Sequence, residues 1–207
     1  MNVLFRSFGI AEERGDLEGA ELYLRFPRPG DWSEWAKLRA ESRDFLVPWE
    51  PAWPPDALTR MAFRRRLRRY ARESRDDQGY AFFIFRKSDH ALLGGITLSN
   101  IRRGIAQSCS VGYWVGKRHA RHGHMSEALR AVLPFIFDDL GLRRLEAACL
   151  PTNEASKSLL RKVGFTQEGY AREYLCINGA WSDHLLFALL KSDVRGRAAK
   201  PAGRSDR

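Results

Sequence analysis

Alternation and helical periodicity divide the chain into recognisable elements. Glu21 to Phe26 alternates as a strand does, and Pro29-Gly30-Asp31 then breaks it and caps a helix running to about Arg43. Phe45 to Pro55 holds four prolines beside Trp49 and Trp53 and reads as a loop, because proline withholds a backbone donor from helix and strand alike. Asp56 is placed to cap the next helix, to about Ser74. Its apolar positions Phe63, Leu67, Tyr70 and Ala71 share one face, while Arg64, Arg65, Arg68 and Arg72 share the other.

Three β-rich runs follow, Tyr80 to Phe85, Leu92 to Ser99 and Ser108 to Val115, joined by turn-forming residues in the manner of an antiparallel meander. From Ser126 to Leu140 the residues Leu129, Val132, Leu133, Ile136 and Leu140 recur at helical spacing, and Gly141 ends the run. Leu145 to Leu150 is a strand, Asn153 to Val163 a helix stopped by Gly164, and Phe165 to Tyr170 another strand. Tyr174 to Ile177 and Trp181 to Leu190 flank Asn178-Gly179, the strongest short hairpin signal. The order βααβββαβαββ predicts one α/β (α+β) domain with a mainly antiparallel sheet, flanking helices and at least one β-α-β crossover. Residues 1–20 form a short N-terminal extension, 21–190 the domain, and 191–207 a basic tail expected to be disordered.

Length and composition agree with that reading. A chain of 207 residues, 44% hydrophobic and 29% charged, buries enough surface to fold without disulfides or a structural metal. Cys109, Cys149 and Cys176 are odd in number and never form a CxxC pair, which points to a reducing cytoplasm and away from zinc. No stretch reads as an export signal or a membrane anchor. The net charge of +10 is concentrated: Arg60 to Arg75 carries +7 and Lys191 to Arg207 carries +4, which leaves the remainder at −1. Such clusters favour an anionic partner.

The richest stretch is Val111 to Leu129, VGYWVGKRHARHGHMSEAL. A strand leads into a loop with Arg118, Arg121, His122, Gly123 and His124, and a helix opens at about Ser126. Unpaired N–H groups and the dipole at a helix N-terminus attract anions, and a glycine lets backbone approach a phosphate. Basic residues facing water on a plain connection would give the same pattern. His119, His122, His124 and His184 form no metal-ligand spacing with any acid or cysteine, so no metal is expected.

RHGHMSEAL resembles the pyrophosphate loop of the GCN5-related N-acetyltransferases (GNAT), where Q/R-x-x-G-x-G/A opens the helix after the fourth strand and binds acetyl-coenzyme A. Ala120 stands where Gln or Arg is usual, and Met125 where Gly or Ala is usual. Pro151 to Leu189, with N-x-x-S, GF-x-x-EG and a hairpin ending in W-x-D-H, looks like the ribosomal-protein-alanine (RimJ-like) branch. The likeness spans roughly Glu21 to Leu190 and is strongest from Val111 onward.

The resemblance implies a sheet splayed between the fourth and fifth strands. It implies a coenzyme site of Trp114, Val115, Gly116, Arg121, His122, Gly123, His124, Met125, Ser126 and Asn153. It implies that Glu173 is the base, acting through water, and Ser156 the proton donor to the thiolate. Read without the family, Glu173 is a solvated carboxylate beside Arg172, and Ser156 is an ordinary first-turn serine behind an Asn153 cap. Tyr113 and Trp114 read as packing residues, Gly94-Gly95 as a bulge or a close approach, and Trp49 and Trp53 as a wall of the acceptor cleft or a packed lid.

The expected activity is transfer of acetyl from acetyl-CoA to an N-terminal Ala or Ser α-amine of a ribosomal protein, by direct attack of the amine on the thioester. A small-amine acceptor is one alternative, and a ribosome- or RNA-binding assembly factor of the same fold is another. The Arg60 to Arg75 helix and the C-terminal tail are the candidates for ribosome or RNA association. A monomer or a homodimer fits equally.

Overall fold

In the computed structural model, which describes residues 15–198, eight strands form one sheet. They are β1 (Leu17–Glu18), β2 (Leu22–Arg25), β3 (Tyr80–Arg86), β4 (Leu92–Arg102), β5 (Ser108–Val115), β6 (Arg144–Cys149), β7 (Thr166–Ile177) and β8 (Ala180–Leu190). The order across the sheet is β1-β2-β3-β4-β5-β6-β8-β7, and every neighbouring pair is antiparallel except β5 with β6. The β5–β6 pair is parallel because a helix carries the chain back across the sheet between them.

Helices cover both faces, and β3 shows why its run of six apolar residues carries no polar alternation. Tyr80, Phe82 and Ile84 enter the larger core with Leu129, Val132 and Leu133 of α4 (His124–Pro134). Phe83 and Phe85 enter a second core with Trp35 and Leu38 of α1 (Trp32–Glu41) and Phe63 of α3 (Arg60–Arg75). A strand buried on both faces reads as a continuous hydrophobic run.

Several boundaries differ from the sequence expectation, each for a local reason. The first helix stops at Glu41, and a short turn of helix, α2 (Arg43–Leu46), and a 3-10 turn, Val47–Trp49, replace the start of the expected loop. Pro48 is tolerated there because the opening positions of a helical turn need no N–H donor. Thr59, not Asp56, caps α3, its hydroxyl accepting the Ala62 N–H at 3.2 Å, while Asp56 pairs with Arg65. α4 starts two residues earlier than expected and passes beyond Pro134 into one π turn, Phe135–Asp139, as proline has no N–H to keep the regular ladder. The two strands expected between Phe165 and Ile177 are one strand, β7, with an irregularity between Ala171 and Leu175. Asn178 and Gly179 both take positive φ, 54° and 86°, as the predicted tight hairpin turn requires.

At the ends, Leu17–Glu18 adds an edge strand ahead of the expected domain start, and Lys191–Ala198 is helical (α6) where a loose tail was expected. Residues 1–14 and 199–207 of the expected extension and tail lie outside the described residues. Among the described residues no helix is long and apolar enough to cross a membrane.

Candidate active site

The centre of the site is a gap in the sheet. β5 and β6 pair only over Ser108↔Arg144, Cys109↔Leu145 and Ser110↔Glu146. Beyond that point β6 commits Ala147, Ala148 and Cys149 to β8, and β5 commits Val111 to Val115 to β4. The two strands therefore diverge, as the resemblance implies.

Which backbone groups of β5 face the gap follows from alternation along the strand. The Gly116 N–H donates to Leu93 O at 2.9 Å, which turns the even positions, Trp114 included, toward β4. The Arg144 N–H donates to Gln107 O at 3.2 Å, which turns the odd positions toward β6. So Tyr113 and Val115 present main-chain N–H and C=O groups to the gap, beyond the last β5–β6 pair, Ser110↔Glu146, which engages the Val111 N–H. Of Trp114, Val115 and Gly116, which the resemblance places at the coenzyme site, only Val115 faces the gap through its main chain. Trp114 and Gly116 are occupied on the β4 side, and Tyr113 takes the place that sequence reasoning missed.

The β4 side is packed tightly enough to fix this edge. A Cβ at Gly94 would lie 2.2 Å from the Trp114 carbonyl oxygen, so this close approach demands glycine. The register with β3 also slips between Ile84 and Phe85, where Leu93 is the extra residue, so the bulge lies next to Gly94, while Gly94 and Gly95 themselves pair regularly with Ile84 and Phe83.

The loop after β5 is held from within. The Lys117 N–H donates to Ser42 Oγ at 2.9 Å, and Lys117–His119 makes a 3-10 turn. Arg118 Nε donates to His119 Nε2 at 3.0 Å and its guanidinium reaches Glu41 at 3.4 Å. His119 is buried, and burial together with the Arg118 charge lowers it to about 4, so it is a neutral acceptor at pH 7. Arg118 and His119 thus shape the loop, and Arg121 is exposed, as are Lys117 and Arg118.

Arg121 and Gly123 then take left-handed backbone, φ 65° and 86°. The Glu127 N–H donates to Gly123 O at 3.1 Å, which leaves the N–H groups of His124, Met125 and Ser126 outside the intrahelical ladder of α4. Met125 points into the core at 7% exposure, so the departure from Gly or Ala does not fill the anion site. Ser126 Oγ donates to Gly123 O at 2.7 Å. His122 and His124 stack 5.8 Å apart, and burial, then the neighbouring His122, lowers His124. Backbone donors, the helix dipole and Arg121 together make this loop a site that could attract an anion.

On the far side of the gap, α5 (Glu154–Val163) begins at an Asn153 cap. Its Oδ1 accepts the Ser156 N–H at 3.0 Å and leaves the side-chain NH2 to offer. Ser156 Oγ lies 2.6 Å from the Tyr113 hydroxyl. Burial pushes the Tyr113 phenol above its usual range, with a smaller opposing pull from Ser156, so it stays protonated at neutral pH. Cys149 is buried beside the same serine, and burial raises its thiol too. The hydroxyl pair joins a strand to the neighbouring helix, a long-range contact invisible to local pattern. Packing explains the Tyr113 ring, as expected, but not its hydroxyl.

Glu173 sits in the irregular stretch of β7 with φ 46°. Its N–H donates to Asp183 Oδ1 at 2.8 Å, and Tyr170 OH donates to the other oxygen of Asp183. The Tyr170 bond, then the Glu173 N–H, hold the Asp183 carboxyl below its ordinary range. The Glu173 side chain is exposed and makes no hydrogen bond or ion pair among the described residues. Nothing described joins Glu173 to Ser156. Asp183 is the acid of W-x-D-H, so the signal for this pin was present in the sequence.

The Pro-rich loop is latched to β5. Arg39 of α1, 9% exposed, makes a bidentate pair with Glu50 at 2.8 and 2.6 Å. Its guanidinium stacks 4.2 Å from the Trp53 ring and 4.9 Å from the Trp114 ring. Trp53 Nε1 donates to Glu50 at 2.8 Å, while Trp49 stays 39% exposed. Among the described residues no group of three His, Cys, Asp or Glu could hold a metal ion.

Comparison with known proteins agrees with this geometry. Residues 21–166 match the model of the acetyltransferase (GNAT) domain. The chain is 37% identical to the probable N-acetyltransferase YjcK of Bacillus subtilis, over 86% of this chain and 98% of the relative. It is 33% identical to the [ribosomal protein uS5]-alanine N-acetyltransferase of Escherichia coli, over 83% of this chain and 89% of that enzyme. The solved structure of Mycobacterium smegmatis RimJ in complex with CoA-disulfide superposes with a TM-score of 0.79 at 31% identity, covering 84% of this chain and 83% of that one. The chain belongs to the GNAT family of N-acetyltransferases, acyltransferases that take acetyl-CoA as the acetyl donor.

Proposed function

We propose that this N-acetyltransferase modifies the N-terminal α-amine of a ribosomal protein at alanine or serine. The observation that carries the acceptor is the likeness, over most of both chains, to the E. coli enzyme named for a ribosomal-protein alanine. The direct-attack chemistry is supported by a gap with free main-chain donors on one wall and a hydroxyl pair on the other.

In this reading the coenzyme phosphates rest on the His124, Met125 and Ser126 N–H groups and on Arg121, with the Asn153 NH2 turned to the pantetheine arm. The neutral amine attacks the thioester carbonyl, so that a C–N bond forms as the C–S bond breaks. Main-chain N–H groups of Val115 and Tyr113 stabilise the charge gathering on the carbonyl oxygen. Ser156, backed by Tyr113, donates to the departing sulfur, and Glu173 accepts the ammonium proton through water.

The test is mass spectrometry of peptides beginning with Ala or Ser, of their Nα-blocked forms, of small amines and of purified ribosomal proteins, each incubated with acetyl-CoA. Acetylation confined to free N-termini is expected. Acetylation of small amines or lysine side chains alone overturns the acceptor. Glu173→Gln is expected to lower kcat/KM by about 10²–10⁴-fold with coenzyme binding unchanged, and an undiminished rate removes Glu173 from the mechanism.

A further inference from the structure

Eight arginines lie on α3, and the structure separates them into two sets. Arg65 pairs with Asp56, Arg69 reaches Glu73 at 3.5 Å, Arg66 donates to Tyr70 OH at 3.2 Å, and Arg60 lies over the Trp32 ring. The side chains of Arg64, Arg68, Arg72 and Arg75 are exposed and have no ion pair or hydrogen bond among the described residues. These four fall at i, i+4, i+8 and i+11, a single stripe about 16 Å long on the helix surface. Like charges at that spacing repel, and among the described residues no acid forms an ion pair with any of the four, Asp16 being the one acid on the groove beside them.

Three of the four, Arg68, Arg72 and Arg75, rim a groove of about 780 Å³ between α3 and the β1–β2 edge, with Arg28 on the opposite bank. Half-buried Phe26 and Tyr70 line its wall. The apolar face of α3 is already packed, with Phe63 fully buried, so the helix has no apolar stripe left to insert into a lipid surface. A row of arginine forks beside accessible aromatic rings suits a flexible strand of phosphates carrying bases to stack.

We infer that the Arg64–Arg75 stripe and the groove beside it form a binding site for single-stranded RNA, separate from the acetyl-transfer gap. Its partner is recognised through the phosphate backbone, and the inference goes beyond the acceptor proposed above. The two fail separately, because this one is read by binding and needs no acetylation.

The experiment is fluorescence anisotropy of a labelled 12-nucleotide single-stranded RNA titrated with the full chain between 50 and 200 mM salt. Four phosphates released from counterions give the wild-type stripe a slope of about −2.8 in log K against log salt, so the stripe alone accounts for roughly a 50-fold loss of affinity across that range. Arg64→Gln/Arg68→Gln/Arg72→Gln/Arg75→Gln is expected to flatten the slope by that amount. Arg64→Gln/Arg68→Gln should flatten it by about 1.4, roughly a sevenfold smaller salt effect, and covers the case in which the fourfold variant does not fold. Arg65→Gln/Arg69→Gln should bind nearly as wild type. An unchanged slope in both stripe variants overturns the site. Equal binding of a polyglutamate peptide of matched charge, or tighter binding of phosphatidylserine vesicles, overturns the assignment to RNA.

Discussion

Replacing Gly94 with alanine would set a methyl carbon 2.2 Å from the Trp114 carbonyl oxygen and 3.0 Å from Val115 Cα. Both neighbours are backbone atoms of β5, so no rotamer change relieves the contact, and β5 must move by about 1 Å. The cost combines a weakened β4–β5 ladder bond, ~1 kcal/mol, with overpacking of ~1–3 kcal/mol. Relief of a strand glycine returns ~0.5–1 kcal/mol. The net is ~2 kcal/mol, which at a slope of about 2 kcal/mol per molar urea lowers the unfolding midpoint by about 1 M. The same movement displaces the Val115 N–H at the gap, and a 1 Å misplacement of a catalytic group is worth about 10²-fold in rate. Gly112→Ala is the reference, being on the paired strand β5 with nothing within 4 Å of an added Cβ. Urea unfolding and kcat/KM for acetyl-CoA should therefore separate the two variants. If Gly94→Ala matches Gly112→Ala in both, tight apposition of β4 is not what fixes the edge of the gap.

Ser156→Ala is expected to lower kcat by ~10–100-fold with little change in stability, and Tyr113→Phe by less, since it removes only the supporting hydroxyl. The double variant should cost no more than Ser156→Ala alone, and additive losses would break the relay. His119 gives a pH signature. Its folded value lies below its ordinary one, so its contribution is fully present above about pH 6.5 and is lost as pH falls toward about 4. The full shift corresponds to ~3 kcal/mol, and solvent screening near the surface reduces the expected loss to ~1–2 kcal/mol. Denaturant unfolding of wild type against His119→Gln from pH 7 to pH 4.5 measures it, and a pH-independent gap between the two refutes it.

The layered α/β architecture was legible because each element carries its own period or punctuation. The doubly buried run of β3, the periodic apolar face of α4 and the Asn178-Gly179 turn each specify local structure without reference to distant residues. The misplaced boundaries share the opposite trait. Thr59 caps α3 because Asp56 is held by Arg65, and Glu173 interrupts β7 because Asp183 claims its N–H. Both depend on a partner nine or ten residues away. At the site, the turn into α4 was legible from Gly123 and the helix it opens. The Tyr113–Ser156 pair, 43 residues apart, and the Arg39–Glu50–Trp53 latch were not, since a tyrosine in a strand or an arginine in a helix has no local signature of its partner.

The divergence of β5 from β6 also determines how the site can drift. Main-chain N–H groups at Val115 and Tyr113 survive every ordinary side-chain exchange, so alanine scanning will pass over Val115 without registering its donor. Only proline, or an ester in place of the amide, deletes that donor. The neighbouring Trp114 contributes a side chain against Arg39, and there sequence change is felt directly. Side-chain exchange along the Arg39–Trp53 latch is thus felt at once, while among substitutions the main-chain donors one residue from Trp114 yield to proline alone.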